Sequence, residues 1–197
     1  MADLIRWAER LFLIPMSVAV IVRIAPQLAA HPHLALFLVS EVVGVALLLL
    51  QRRGQWSVDL YAVIVAFVGT GAALLVAPIG VRLIPDSLSL VLILAGGTVS
   101  LAAKLFLGRS FGIVPANRGV KATGVYRLIR HPMYAGYMLN HLGFVLVFCS
   151  AWNVAIYAVA WTALWLRAVE EEKFLRQDPE YRRYAEKVRY RLIPGVA

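Results

Sequence analysis

Apolar residues lie along this chain in long unbroken blocks, not at amphipathic spacing. A helix needs about 20 mostly apolar residues to cross the ~30 Å hydrocarbon of a bilayer. Four blocks approach or reach that length: Leu11–Ala30, His33–Gln51, Leu60–Ala77 and Ser87–Leu107. A polar interval follows, then a fifth block, Met133–Ala151, and a shorter sixth, Asn153–Leu166. Asp59, Pro78, Pro85 with Asp86, and the Trp152-Asn153 pair mark the breaks. The sixth run is too short to span alone. It suits either an interfacial segment or the return arm of a hairpin that continues as a helix past the membrane surface, and six spans are favoured over five. The pattern predicts an all-α, polytopic membrane protein. A four-helix region fills 1–107, and 108–197 holds a polar loop, a C-terminal helical hairpin and a basic tail.

Composition strengthens this reading. The 197 residues are 61% hydrophobic and 16% charged, whereas soluble domains average about 45–50% apolar and about 25% charged. A soluble globule, a disordered chain and a fibrous protein are excluded on these grounds. The net charge is +9, and its placement is informative. If the helices alternate in direction, every Lys and Arg except Arg23 and Arg82 falls on one side of the bilayer. The positive-inside rule makes that side cytoplasmic, with both termini there. Such placement points to anionic inner-leaflet lipid and away from nucleic acid. In the tail, Tyr181, Tyr184 and Val188 form a stripe beside Arg182, Arg183, Lys187 and Arg189, the pattern of a helix lying on the inner leaflet. The first apolar run lacks a small-x-small cleavage site and reads as an uncleaved span. With one cysteine, Cys149, and no ligand spacing among the histidines, no metal is predicted.

Two charges sit well inside predicted spans. Arg23 and Glu41 occur at similar depth on adjacent antiparallel helices, which predicts a mainly structural ion pair, since an unpaired charge in lipid costs about 2.5–3.5 kcal/mol on insertion scales. Asn140 and His141 interrupt the fifth span and should face the protein interior, lining a substrate cavity or bonding another helix.

Chemistry concentrates after the fourth span. The loop carries Gly112, Gly119 and Gly124, which permit tight turns and close ligand approach, and ends in Arg130-His131-Pro132-Met133-Tyr134-Ala135-Gly136. Pro132 suits a helix start, whose free amides favour an anion. Tyr126, Tyr134 and Tyr137 suit a flat base or a cation, although a plain basic interfacial loop would look the same. Further on, Arg167 faces Glu170 and Glu171 at helical spacing, next to Glu172. Asp178 then caps a short helix with Pro179 in its first turn.

Taken in order, Thr123-Gly-Val-Tyr126, Arg130-His-Pro-Met-Tyr-Ala-Gly136, Arg167-x-x-x-Glu171-Glu172-x-x-Leu175, Tyr181-x-x-Tyr184 and Leu192-Ile-Pro194 resemble the isoprenylcysteine carboxyl methyltransferase family, within the larger group that includes phospholipid methyltransferases. The resemblance covers about 108–194. It implies an integral membrane methyltransferase that uses S-adenosylmethionine at a cytoplasmic site and takes a lipophilic acceptor from the bilayer. By position, Thr123, Gly124, Val125, Tyr126, His131, Tyr134 and Gly136 would surround the cofactor, with Glu171 and Glu172 near its polar end. Arg130, Arg167 and Glu171 are the catalytic candidates, and Arg167, Asn140 and His141 the substrate-binding ones. Glu170 and the Asp178-Pro179 pair depart from the family pattern.

Methyl transfer from an already activated sulfonium asks mainly for positioning. A cysteine carboxyl terminus, with a pKa of about 3.3–3.7, arrives ionised and needs no base, and an arginine fork suits it. A phospholipid amine, the alternative acceptor, must first lose a proton, which Glu170–Glu172 would accept. Two other classes share parts of this signature. Sterol reductases carry a similar His-Pro-x-Tyr-x-Gly segment with a nicotinamide cofactor, and a non-enzymatic membrane scaffold needs only the spans.

Overall fold

The computed structural model describes residues 2–29 and 31–195. Six long helices and one short one follow in order: α1 (Ala2–Ile24), α2 (Ala35–Leu49), α3 (Leu60–Gly71), α4 (Asp86–Leu107), α5 (Pro132–Val147), α6 (Ala151–Leu175) and α7 (Pro179–Lys187). One departure from an all-helical chain is a two-residue antiparallel ribbon, β1 (Gln55–Trp56) with β2 (Ala116–Asn117). Pro32–Leu49 and Asp86–Ser110 are long and apolar enough to cross a bilayer, and Leu60–Leu75 is apolar but shorter. Leu11, Val42, Ile64, Val91 and Val159 are among the large apolar side chains left exposed on the helix exteriors.

Boundaries shift where polar residues prove helical. α1 starts at Ala2, not Leu11, because its charged first turns find partners: Glu9 is buried and Arg10 donates to the Leu49 carbonyl at 3.4 Å. Ala30, the predicted end of the first span, lies outside the described residues, as do Met1, Val196 and Ala197. The break expected at Trp152-Asn153 falls instead at Phe148–Ser150, where the Ser150 hydroxyl caps α6 by accepting from Asn153 N at 3.2 Å. Asn153, completely buried, then ties this turn to the α3–α4 connection through bonds to Ala77, Ile79 and Phe148. α6 runs from there for 25 residues straight through the Arg167–Glu172 segment.

α5 and α6 are consecutive, yet α5 lies chiefly along α4 and α6 along α3. Small residues explain the choice. A Cβ on Gly96 would come within 2.5 Å of the Asn140 amide and the Gly136 carbonyl, and one on Gly136 within 2.7 Å of Gly96 O and Ser100 N. Such backbone-to-backbone approach is how helices associate where no hydrophobic drive separates them from lipid. Gly69 against Ala163 does the same for α3 and α6.

Two expectations are corrected. No Arg23–Glu41 ion pair forms among the described residues: Arg23 is exposed, and Glu41 accepts from Ser17 Oγ at 2.6 Å. The neutral hydroxyl on the neighbouring helix satisfies the carboxylate without Arg23 bending inward. The tyrosine stripe of α7 does not face outward either. Tyr181, Tyr184, Ala185 and Val188 are buried against Val120 and Leu175, so the stripe closes over the loop, while Arg182, Arg183 and Lys187 stay exposed.

Candidate active site

Three segments converge where α4 ends, α5 begins and α6 ends. The first is the loop 108–131. Gly124 sits at φ +57°, and a Cβ there would meet the Phe106 ring at 2.3 Å. Glycine alone lets this turn close and seat Tyr126 in the core, where burial pushes the phenol well above its ordinary pKa and keeps it neutral. The second is the start of α5. Pro132 occupies the first helical turn and His131 lies just before it with no side-chain cap bond. The third is the polar end of α6.

Glu172 is the knot that holds them. Its side chain is 3% exposed, and Oε1 receives Arg130 Nε at 2.7 Å and Arg191 Nε at 3.1 Å, with His131 Nε2 at 3.2 Å. Arg191 Nη2 reaches Oε2 at 3.2 Å. Burial by itself would raise the Glu172 pKa, but the bonds from His131, Arg191 and Arg130 outweigh it and hold the carboxyl far below the ordinary carboxylate range. Arg130 also donates to the carbonyls of Val188 and Arg189, both at 2.8 Å, so its guanidinium straps the tail to α6. Tyr184 adds a bond from its hydroxyl to Tyr126 O at 2.8 Å.

Glu171 faces the other way. It accepts from the Tyr134 hydroxyl at 2.5 Å and from Arg167 Nε at 3.3 Å. The Tyr134 ring has the His131 ring stacked at 5.4 Å and the Arg167 guanidinium at 5.0 Å. Arg167 is held by Thr70 Oγ1 at 2.8 Å and by the carbonyls of Gly112 and Ile113 at 3.2 and 2.7 Å. Those carbonyls belong to a strand of loop fixed from behind by Glu9. This fully buried carboxylate takes both Ile113 N and Val114 N on one oxygen, at 2.7 and 2.6 Å.

The result is two cavities with a common wall. A loop-side pocket of about 110 Å³ has Arg118, Tyr126, His131, Tyr134, Glu171 and Tyr181 on its walls. A helix-side cavity of about 480 Å³, mostly apolar, contains Arg167, Lys104, Glu41, Asn140 and His141. Gly112 and Met133 line both. Lys104, 4% exposed, donates to the hydroxyl and carbonyl of Ser40 at 2.8 and 3.0 Å. His141 accepts from Trp161 Nε1 at 3.3 Å.

Of the residues singled out from the sequence, Tyr126, Arg130, His131, Tyr134 and Glu171 meet at the loop-side pocket, and Arg167, Asn140 and His141 at the cavity. Thr123, Gly124 and Val125 build the turn beneath Tyr126, Gly136 serves the α4–α5 contact, and Glu172 lies behind the pocket wall. Sequence reasoning missed Glu9, Trp56, Thr70 and Lys104. Glu9 stands in a charged run that reads as a membrane flank, and no spacing marks the other three.

Residues 87–178 match the family model described as phospholipid methyltransferase. Protein-S-isoprenylcysteine O-methyltransferase A of Arabidopsis thaliana is 34% identical over 111 residues, 52% of this chain and 56% of the relative. A probable protein-S-isoprenylcysteine O-methyltransferase of Oryza sativa subsp. indica is 36% identical over 107 residues, 50% of this chain and 56% of the relative. The likeness is to methyltransferases. It bears out the resemblance drawn from the motifs, and the chain spans a little over half the length of these relatives. The matched stretch holds α4, the loop, α5 and α6. Glu9 and Thr70, which hold the Ile113–Val114 amides and Arg167, lie outside it.

Proposed function

We propose that this chain is an S-adenosylmethionine-dependent membrane methyltransferase that methylates the carboxylate of an isoprenylcysteine or a similar lipophilic acceptor. One observation carries the reading. A small pocket ringed by charged and aromatic side chains and a larger apolar cavity abut at Gly112 and Met133, with Tyr134 and Glu171 on the pocket side and Arg167 on the cavity side. Two ligands of opposite solubility would meet there.

The donor set suits the cofactor. A sulfonium cation is stabilised by the Glu171 carboxylate and by aromatic faces, here Tyr126, Tyr134 and Tyr181, and a flat base stacks on the same rings. When bound, S-adenosylmethionine supplies a methyl group already activated for displacement. The loop-side pocket, about 110 Å³, is smaller than the roughly 300 Å³ at which ligand clefts begin, so binding requires Tyr181 and Tyr184 to move outward with the tail. Arg130, Glu172 and Arg191 provide the hinge side of that motion.

Acceptor chemistry is read from the cavity. Arg167, Lys104 and Arg23 bring three cations to it against the one carboxylate of Glu41, an arrangement that attracts a carboxylate and repels an ammonium. The carboxylate arrives ionised, so these residues orient it and no side chain has to remove a proton. The chain is read as multi-pass, with six spans and both termini on the cytoplasmic side, where exposed Arg182, Arg183 and Lys187 face anionic lipid.

Radiolabelled methyl transfer to prenylcysteine, phosphatidylethanolamine and native lipid extract tests the reading. Label on prenylcysteine is the expected result, and label confined to the phospholipid moves the acceptor to an amine. Titration with S-adenosylhomocysteine and with NADPH separates methyl transfer from reductase chemistry. Binding of NADPH alone would overturn the proposal.

A further inference from the structure

Arg118 is anomalous for a buried cation. Its residue is 7% exposed, yet among the described residues its side chain has no hydrogen-bond partner, and Nε and Nη2 are both buried without one. The nearest carboxylate oxygen, Glu9 Oε1, is 4.0 Å from Nη2, and it is already shared by two backbone amides. The guanidinium instead lies 4.2 Å over the Trp56 ring. Burial lowers its pKa to about 10 despite the attraction of Glu9 and Glu171, so at neutral pH the charge persists.

Its surroundings look built to present that charge. Trp56 is delivered by the β1–β2 ribbon, whose register pairs it with Ala116, two residues before Arg118. Gly112 leaves room for the fork: a Cβ there would come within 2.6 Å of Nη1 and 2.7 Å of Nη2. Gly119, at φ +95° with open space around it, turns the chain away. Arg118 lines the loop-side pocket and is absent from the walls of the helix-side cavity. An unsatisfied buried guanidinium costs free energy that only an incoming anion recovers.

We propose that Arg118, stacked on Trp56 and backed by Glu9, is the subsite for the α-carboxylate of the methyl donor. The inference rests on the donor reading above and adds the group that distinguishes an amino-acid-bearing nucleoside from a bare one. A planar fork over an indole is preorganised for a carboxylate, and Glu171 and Tyr134, on the wall of the same pocket, are left for the sulfonium. The acceptor's carboxylate would be met by Arg167 on the far side of the wall.

Calorimetric titration of the full-length protein in detergent tests this with two ligands, S-adenosylhomocysteine and 5′-methylthioadenosine, which lacks the amino-acid end. Arg118→Gln should weaken S-adenosylhomocysteine binding by about 10- to 100-fold, the worth of a charged hydrogen-bond pair. Binding of 5′-methylthioadenosine should change by less than about twofold, since no bond to Arg118 is lost. Arg118→Lys keeps the charge but not the fork, should fall between, and carries the same ratio test if the Gln variant does not fold. Equal losses for both ligands, or an unchanged ratio in whichever variant folds, would overturn the assignment. A wild-type protein that binds neither ligand would instead sink the donor reading, and the subsite with it.

Discussion

The loop-side pocket and the helix-side cavity share a wall but hold their charges in opposite ways. Behind the pocket, Glu172 is saturated by Arg130, His131 and Arg191, and Glu171 is bonded to Tyr134 and Arg167. In the cavity beyond Arg167, among the described residues Lys104 bonds only Ser40 and Glu41 is bonded only by Ser17, and the rest of the wall is mostly apolar. A saturated buried network fixes one geometry, because stripping an ion of its partner costs several kcal/mol. A sparsely bonded apolar cavity tolerates changes of shape. The contrast fits one invariant, water-borne ligand and one greasy ligand whose tail needs only room. Arg118, unsatisfied on the saturated side, is the exception that the subsite assignment accounts for.

Removing the knot should have the largest effect. Glu172→Ala leaves the buried Arg130 and the half-buried Arg191 without their carboxylate and should destabilise the protein by about 3–5 kcal/mol, the usual cost of breaking a buried pair. Thermal unfolding in detergent reads it directly. The pH dependence follows from the depressed Glu172 pKa. A carboxyl lowered on folding stabilises the fold fully above its ordinary value of 4.5 and loses that contribution as pH falls through the depressed range,. The contribution of Glu172, measured as the stability difference between wild type and Glu172→Gln, should therefore shrink as pH falls below about 4.5,. A difference that does not shrink in acid would show that the knot is not what fixes the pocket side.

Arg167 belongs to the common wall and comes next. Arg167→Ala should lower methyl transfer by about 100-fold, as misplacement of reacting groups does, while S-adenosylhomocysteine affinity falls far less, because Arg167 lines the cavity and reaches the pocket only through Glu171 and Tyr134,. Equal loss of transfer and binding would assign Arg167 to the pocket and erase the distinction between the two sides.

The fold was legible where physics is local. Long apolar blocks gave the helix order, Pro132 and Asp178 gave two helix starts, and the ordered motifs gave the pocket's Tyr126, His131, Tyr134 and Glu171. What stayed hidden is long-range. Glu9 reaches Ile113 across 104 residues of chain, Arg167 reaches Thr70 across 97, and Lys104 reaches Ser40 across 64. No periodicity encodes such partners, since a charge at a helix end looks the same whether it flanks lipid or holds a loop. For the same reason Arg23 and Glu41 suggested a pair that Ser17 forestalled. The α7 stripe was correctly seen as amphipathic, but amphipathicity does not say whether lipid or protein covers the apolar face.

Glu9 tests how far the N-terminal helix serves the pocket. Glu9→Ala leaves two buried amides unpaired, each worth about 1–3 kcal/mol, and should loosen the 112–113 carbonyls that grip Arg167. Transfer should drop by about 10-fold. Glu9→Gln should recover most of it, because both amides bond one oxygen, and Gln51, whose Nε2 donates to the other Glu9 oxygen at 3.0 Å, can turn its Oε1, unpartnered among the described residues, to accept the new amide. Failure of Gln to rescue would mean that the charge beside Arg118 matters more than the loop geometry.

The gentlest perturbation probes the cavity alone. Lys104→Met keeps the volume and removes the cation, and Ser40 loses only two bonds that its own helix and hydroxyl rotation replace. Because the cavity is loosely bonded, stability should hold and donor affinity should not move. The KM for a carboxylate acceptor should rise by about 5-fold, the effect of one charge-assisted contact shared with Arg167, with kcat little changed, which is the signature of lost ground-state binding. A drop in donor affinity of the same size would show that the two sides are one rigid unit. A KM left untouched would take Lys104 out of recognition and leave it serving only to join α4 to α2.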